Sequence, residues 1–192
     1  MRLRVVLLLT MLVAPAVAEN DSGAGKTGPP KTVERVDLER YIGLWHEIAR
    51  IPNRFQDQCA CCVTAEYTLR DDGKIDVLNS CTKADGKLDQ AAGLARIEDR
   101  ESNARLKVSF FSILGWRPIW GDYWIIGLDD DYRYAVVGSP DRKYGWILAR
   151  ERELEESVLE RLFALLREQG YDPASFQMTR QQAKERAGSD ES

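Results

Sequence analysis

The residue types best suited to chemistry in this chain are four cysteines and a single histidine. Cys59, Cys61 and Cys62 crowd into the stretch QDQCACCVTAEY at 56–67, and Cys81 stands alone further on. Four thiolates match a tetrahedral zinc site in number. The spacing C-x-C-C, however, departs from the usual pairs two to four residues apart. Cys61 and Cys62, adjacent on an extended segment, also point to opposite faces. The histidine, His46, lies in WHEIAR, which begins like the zinc motif H-E-x-x-H but carries Arg50 where the second ligand belongs. No G-x-S-x-G elbow and no phosphate-binding glycine loop accompanies it. Paired acids, Asp71-Asp72 and Asp129-Asp130-Asp131, fall between apolar runs, where aspartate serves turn geometry, and they lack the ordered spacing of a calcium loop. The reading is a protein without catalytic residues, metal or cofactor. A thiol of the cluster is the one nucleophile available to an enzymatic alternative.

The chain has 192 residues, 44% hydrophobic and 30% charged, with a formal charge of −4. That suits one globular domain and supplies no net basic field for nucleic acid. The N-terminus, MRLRVVLLLTMLVAPAVAEN, has Arg2 and Arg4 before an apolar run and an A-x-A site at Ala16 to Ala18. This is the pattern of a secretory signal peptide over 1–18. Glu19 rather than cysteine follows the cleavage site, so the expectation is an exported protein, periplasmic or secreted, without an N-terminal lipid anchor. Removing two arginines moves the formal charge to about −6. Export assigns cysteines to disulfides first.

The elements that must position these residues are mostly strands. Residues 19–34 are small, polar and rich in Gly and Pro, a flexible arm. VDLERYIG at 36–43 reads as a short helical turn with Asp37 as N-cap. Eight strand-like runs follow at 44–51, 61–70, 74–81, 88–97, 104–112, 122–129, 132–138 and 144–150. Gly, Pro, Asp or Asn separate most of them. In LKVSF, Leu106, Val108 and Phe110 share one face; in CVTAEYTL, Val63, Ala65, Tyr67 and Leu69 do. The period then changes. Residues 154–170 place Leu154, Val158, Leu162, Leu165 and Leu166 on one side of an amphipathic helix ended by Gly170. Arg180 onward reads as a disordered tail. The fold class is all-β: an eight-stranded up-and-down antiparallel barrel with the C-terminal helix packed on its outer wall.

The hairpin LRDDGKI fixes a register. A three-residue loop with Gly73 in the left-handed conformation sets Tyr67 opposite Val77 and Ala65 opposite Asn79. Cys81 then faces Val63, and a bulge in CACC brings Cys61 or Cys59 opposite Cys81. Cys81 is expected to bridge to one of the two.

The stretch DLERYIGLWHEIARIPNRFQ resembles the first signature of the lipocalins, with Gly43 and Trp45 as its G-x-W. GDYWIIGLDDDYRYAVVG resembles the second, around Asp122 and Tyr123, with Gly121 where the family often has Thr. WILARE resembles the third, with Arg150 as its arginine. The likeness runs over about 37–178, and the domain is drawn at 35–179. LKVSFF and SPDRKYGWILAR are similar to bacterial outer-membrane lipocalins and apolipoprotein D-like proteins. The resemblance implies that Trp45 sits at a closed barrel end under Arg150. It also implies storage or transport of a small hydrophobic ligand, a fatty acid or lysophospholipid, in the bacterial cell envelope. Carriage of a rigid pigment, carotenoid or tetrapyrrole, is the alternative. Cavity candidates are Tyr67, Val77, Phe110, Trp124, Ile126 and Trp146, with Phe55 in a loop over the mouth. ILGWRPIWGDYW at 113–124 gathers three tryptophans around Arg117, a composition that fits a transient membrane contact or a homodimer patch.

Overall fold

A computed structural model describes residues 28–182. The leader expected at 1–18, and residues 19–27 and 183–192, lie outside the described residues. A single turn, α1 (Leu38–Tyr41), is capped by the Asp37 carboxylate, which accepts from the Glu39 and Arg40 amides. Eight strands follow: β1 (Gly43–Arg50), β2 (Cys59–Leu69), β3 (Ile75–Lys83), β4 (Leu88–Ile97), β5 (Arg105–Ser109), β6 (Gly121–Leu128), β7 (Tyr134–Gly138) and β8 (Gly145–Ala149). Each pairs antiparallel with the next, and β1 pairs with both β2 and β8, so the sheet closes on itself. Closure removes the exposed edges that an open sheet would present. The eight-stranded barrel expected from alternation is the observed fold.

Two apolar layers result. Inside the barrel lie Trp45, Tyr67, Ile75, Val77, Ala95, Leu106, Ile125, Val137 and Leu148. Outside it, Ile126, Val136, Ile147 and Ala149 pack against Leu162 and Leu166 of the helix α2 (Glu156–Glu168). The helix thus lies on the outer wall, as its amphipathic pattern implies. Gly127 permits its close approach, since a Cβ there would lie 2.5 Å from Leu165 Cδ2. Gly170, at φ +81°, ends this segment in the left-handed conformation that glycine adopts without strain.

The hairpin register holds: Tyr67 pairs with Val77, Ala65 with Asn79 and Leu69 with Ile75, and Gly73 has φ +74°. Two irregularities interrupt β2, between Cys59 and Cys61 and between Cys61 and Thr64. Cys62 takes φ +62°, the conformation a bulge demands and a side chain resists. The slip delivers Cys59, not Cys61, to Cys81. The disulfide joins Cys59 and Cys81 with Cα atoms 5.6 Å apart, and Cys61 and Cys62 remain free thiols.

A ninth strand, β9 (Gln177–Met178), pairs with β1 at Ala49 and Arg50 and was not legible as a strand. The direct β1–β2 register ends at His46 and Thr64. Beyond that point the C-terminal segment runs between the two strands. Thr179 N donates to Ile48 O, while Arg180 O accepts from Cys62 N. The buried Gln181 amide donates to both Glu47 O and Val63 O. The tail expected from Arg180 is therefore corrected at 180–181, which close the wall. The arm expected at 19–34 is likewise shortened. Pro30 is buried, Val33 N donates to Ile125 O, and Gly28 O accepts from Arg142.

The Cys59–Cys81 bridge closes a loop of 22 residues across the irregular start of β2. Replacing both by alanine is expected to lower unfolding free energy by about 2–4 kcal/mol in a denaturant titration. Equal stability would show that the bulged hairpin needs no covalent tie.

Candidate functional site

The barrel has unlike ends. At the end where β1 begins, the segment before β1 and α1 cover the interior. Val36 N donates to Ser102 O, and Asn103 Nδ2 donates to Val36 O. Trp45 is fully buried there, its indole N–H donating to Tyr41 O at 2.8 Å. Arg150 Cζ lies 3.9 Å over the Trp45 ring, a cation–π contact. The same guanidinium donates to the carbonyls of Leu44, Arg40, Tyr41 and Ile42 at 2.7–3.1 Å. One side chain thus caps the carbonyls that α1 and the start of β1 leave unpaired. Gly43, at φ +93°, turns the chain between them, and a Cβ there would stand 3.5 Å from Arg150 Nη1. Asp122 has a different place: on the strand pair β5–β6 it accepts from Lys107 Nζ at 3.0 Å.

Above this floor lie three buried hydroxyls. Tyr123 OH is hydrogen-bonded to Tyr41 OH at 2.8 Å and to Tyr67 OH at 2.9 Å. Burial pushes the Tyr67 phenol up to about 12 and raises Tyr41 and Tyr123 well above the ordinary tyrosine value.

Toward the other end the lumen face carries smaller and more exposed residues. Val77 is paired with Gly93, and Asn79 with Ala91, so small residues of β4 stand opposite larger ones. The Phe110 ring occupies the space before Gly93, where a Cβ would meet it at 2.6 Å. Phe110 is 43% exposed although it continues the face of Leu106 and Val108, and Ala91 is exposed on the same lumen face. Solvent therefore reaches the lumen in this half, whereas Trp45, Ile75 and Ile125 below are sealed. An aromatic row leads in from the mouth. Phe55 lies 5.9 Å from Tyr144, and Tyr144 stacks 6.0 Å from Trp146, which packs against the inner cluster.

Of the sequence candidates, Tyr67, Val77, Phe110 and Trp146 share this interior, and Phe55 stands in the loop at its mouth. Trp124 and Ile126 do not share it. Both belong to the outer layer beneath α2, and Arg105 covers the Trp124 ring at 4.8 Å. Tyr123 and Ile125 are the inward residues of β6. The inversion has a physical cause: β6, β7 and β8 are buried on both faces, so alternation no longer marks the inside.

Sequence reasoning missed a polar cluster below the mouth. Glu47 is 3% exposed, and its carboxylate accepts from Arg50 Nη1, from Thr179 Oγ1 and from Gln56 Nε2. Gln56 Oε1 in turn accepts from Trp146 Nε1 at 3.1 Å. Strict alternation would send Arg50 outward from Glu47. The irregularity between Glu47 and Ala49 returns it to the lumen face, opposite Trp146. The signal in the sequence was a Glu and an Arg in a run that is apolar apart from them and His46.

His46, by contrast, borders an outer groove with Cys62, Thr64, Arg152 and Gln181. Burial and then Arg152 hold its imidazole below the ordinary histidine value. Among the described residues no group of three or more His, Cys, Asp or Glu is placed to hold a metal ion.

A closed antiparallel barrel with one sealed end, one open end and a lumen apolar apart from the Glu47–Arg50–Gln56 cluster is an architecture suited to enclosing a small ligand. Comparison with known proteins agrees. The lipocalin-like domain matches residues 36–181, and the chain belongs to the lipocalin family. Temperature-induced lipocalin-1 of Arabidopsis thaliana is 40% identical over 154 residues, covering 79% of this chain and 82% of that one. The outer membrane lipoprotein Blc of Escherichia coli (strain K12) is 37% identical over 173 residues, covering 88% and 94%. Apolipoprotein D of Cavia porcellus is 32% identical over 186 residues, covering 92% and 95%. Among solved structures, insecticyanin from the tobacco hornworm Manduca sexta superposes with a TM-score of 0.64 at 26% identity, covering 81% of this chain and 86% of that one.

Two outcomes follow from the sealed end. Trp45→Ala should cost about 3–5 kcal/mol in a thermal or chemical melt, and unchanged melting would remove Trp45 from the core of the argument. The raised tyrosines give a pH dependence. Their folded values exceed the unfolded value of about 10, so the stability they contribute is complete below that pH. It falls as pH rises from about 10 through about 12, because the unfolded chain loses its phenolic protons first. Denaturation followed at pH 9 and pH 11 should show this loss, and Tyr67→Phe should reduce it.

Proposed function

We propose that this protein carries a single-chain lipid, a fatty acid or lysophospholipid, in the lumen of its barrel, as an exported protein of the cell envelope. The observation that carries the reading is the unlike exposure of one lumen face: sealed at Trp45 and Ile75, open at Ala91 and Phe110. An acyl chain would lie in the open half, against Val77, Phe110 and Trp146, with Phe55 at the entrance. Export is supported by the leader pattern, the Cys59–Cys81 bridge and the names of two relatives, an outer membrane lipoprotein and an apolipoprotein. The reading is non-enzymatic. The partly covered thiol, Cys62, is pushed up by burial and by its neighbour Cys61, which keeps it protonated and a poor nucleophile.

The rim of the open end supports transfer at a lipid surface. Ile113 and Trp116 exchange both backbone hydrogen bonds around a two-residue tip, Leu114-Gly115. Leu114 is wholly exposed, and Ile113, Trp116 and Ile119 are at least half exposed. The segment 110–120 carries one charge, Arg117, against a net negative chain.

Affinity for saturated fatty acids should rise about fourfold for each added methylene until the lumen is filled. Titration of the delipidated protein across a chain-length series checks this, and affinity independent of length would refute acyl burial. A second outcome concerns the tip. The pair Leu114→Ser and Trp116→Ser should slow lipid exchange with vesicles in a stopped-flow assay and leave equilibrium affinity in solution unchanged.

A further inference from the structure

The cluster below the mouth has more donors than acceptors. Among the described residues Glu47 brings its only carboxylate, and its two oxygens already accept from Arg50, Thr179 and Gln56. Gln56 spends its own oxygen on Trp146 Nε1 and Asn53 Nδ2. Arg50 makes both of its bonds through Nη1, to Glu47 at 3.0 Å and to Thr179 at 3.1 Å. Among the described residues its Nε is buried and has no partner. A buried N–H of a guanidinium without an acceptor is costly, and such groups are almost always paired in folded proteins. Nε and Nη2 together form the side-on edge of the guanidinium, the fork that matches two oxygens of a carboxylate or phosphate. Arg50 lies in register opposite Trp146, whose ring packs on the inner cluster, so its side chain leaves the wall on the lumen side.

We infer that Arg50 is the head-group anchor of the lumen and selects ligands with an anionic head, a carboxylate or a phosphate. Glu47 balances the arginine's charge when the lumen is empty and holds Nη1 in place, leaving the Nε edge to the ligand. Gln56 and Trp146 connect this anchor to the mouth loop, so head-group binding and loop position are coupled. The inference rests on the proposed carriage of a single-chain lipid.

The test compares four lipids with the same C18 chain, using the Trp fluorescence of the delipidated protein as readout. Oleic acid presents a carboxylate, oleoyl lysophosphatidic acid a phosphate, and methyl oleate and monoolein no charge. The wild-type protein should bind at least one anionic lipid about tenfold or more tightly than both neutral ones, and the stronger of the two identifies the head. Arg50→Gln should bring the preferred anion down to the affinity of the neutral lipids without weakening those. Arg50→Lys, which keeps the charge and loses the fork, should fall between. Equal binding of all four lipids by the wild type overturns the anchor, and so does a preference that survives in Arg50→Gln. The wild-type series needs no variant, so it stands even where Arg50→Gln does not fold. If none of the four binds, the carriage reading itself fails and takes the anchor with it.

Discussion

A barrel that holds a ligand has to be sealed at one end, and here the seal is Arg150 lying on the ring of Trp45. The guanidinium does two things at once. Its face covers the indole, and its N–H groups collect the carbonyls of residues 40–42 and 44. The second role explains why an arginine fits and a lysine would not, because only a planar fork reaches several carbonyls while stacking on an aromatic ring. With the floor fixed, the three tyrosine hydroxyls are sealed above it and satisfy one another. Every other feature of the lumen is arranged upward from this point.

At the opposite end the barrel gives up regularity. β1 and β2 stop pairing after His46 and Thr64, β1 slips after Glu47, and β2 bulges at Cys62. The disulfide from Cys59 to Cys81 and the C-terminal strand with Thr179, Arg180 and Gln181 repair the gap. The same slip that weakens the ladder turns Arg50 into the lumen. Irregular backbone and the polar cluster are thus one feature, which fits the general tendency of bulges to re-aim side chains beside functional sites.

Much of the architecture was readable from residue order alone. Alternation in CVTAEYTL and LKVSF gave faces that hold in the structure, and the DDG hairpin gave its register. The helix at Glu156–Glu168 was readable from its leucine spacing. What was not readable has two causes. Where α2 covers the outside, both faces of β6 are apolar from Tyr123 onward, and Trp124 and Ile126 were assigned inward although Asp122, two residues before Trp124 on the same face, marks the outer side. Where the backbone slips, parity fails. Cys59 rather than Cys61 meets Cys81, and Arg50 rather than a surface position joins Glu47. The C-terminal segment was hidden by its polarity, since Arg180 and Gln181 hold the wall through backbone and amide hydrogen bonds.

The central claim is that the open half of the lumen receives an acyl chain. A crystal structure of the protein with a fatty acid brominated near its methyl end tests it most directly, because bromine can be located by anomalous scattering. The account predicts a bromine peak inside the barrel, in the space bordered by Val77, Phe110 and Trp146. A peak confined to the outer wall beside Ile126 and α2, with the lumen unchanged, would contradict it.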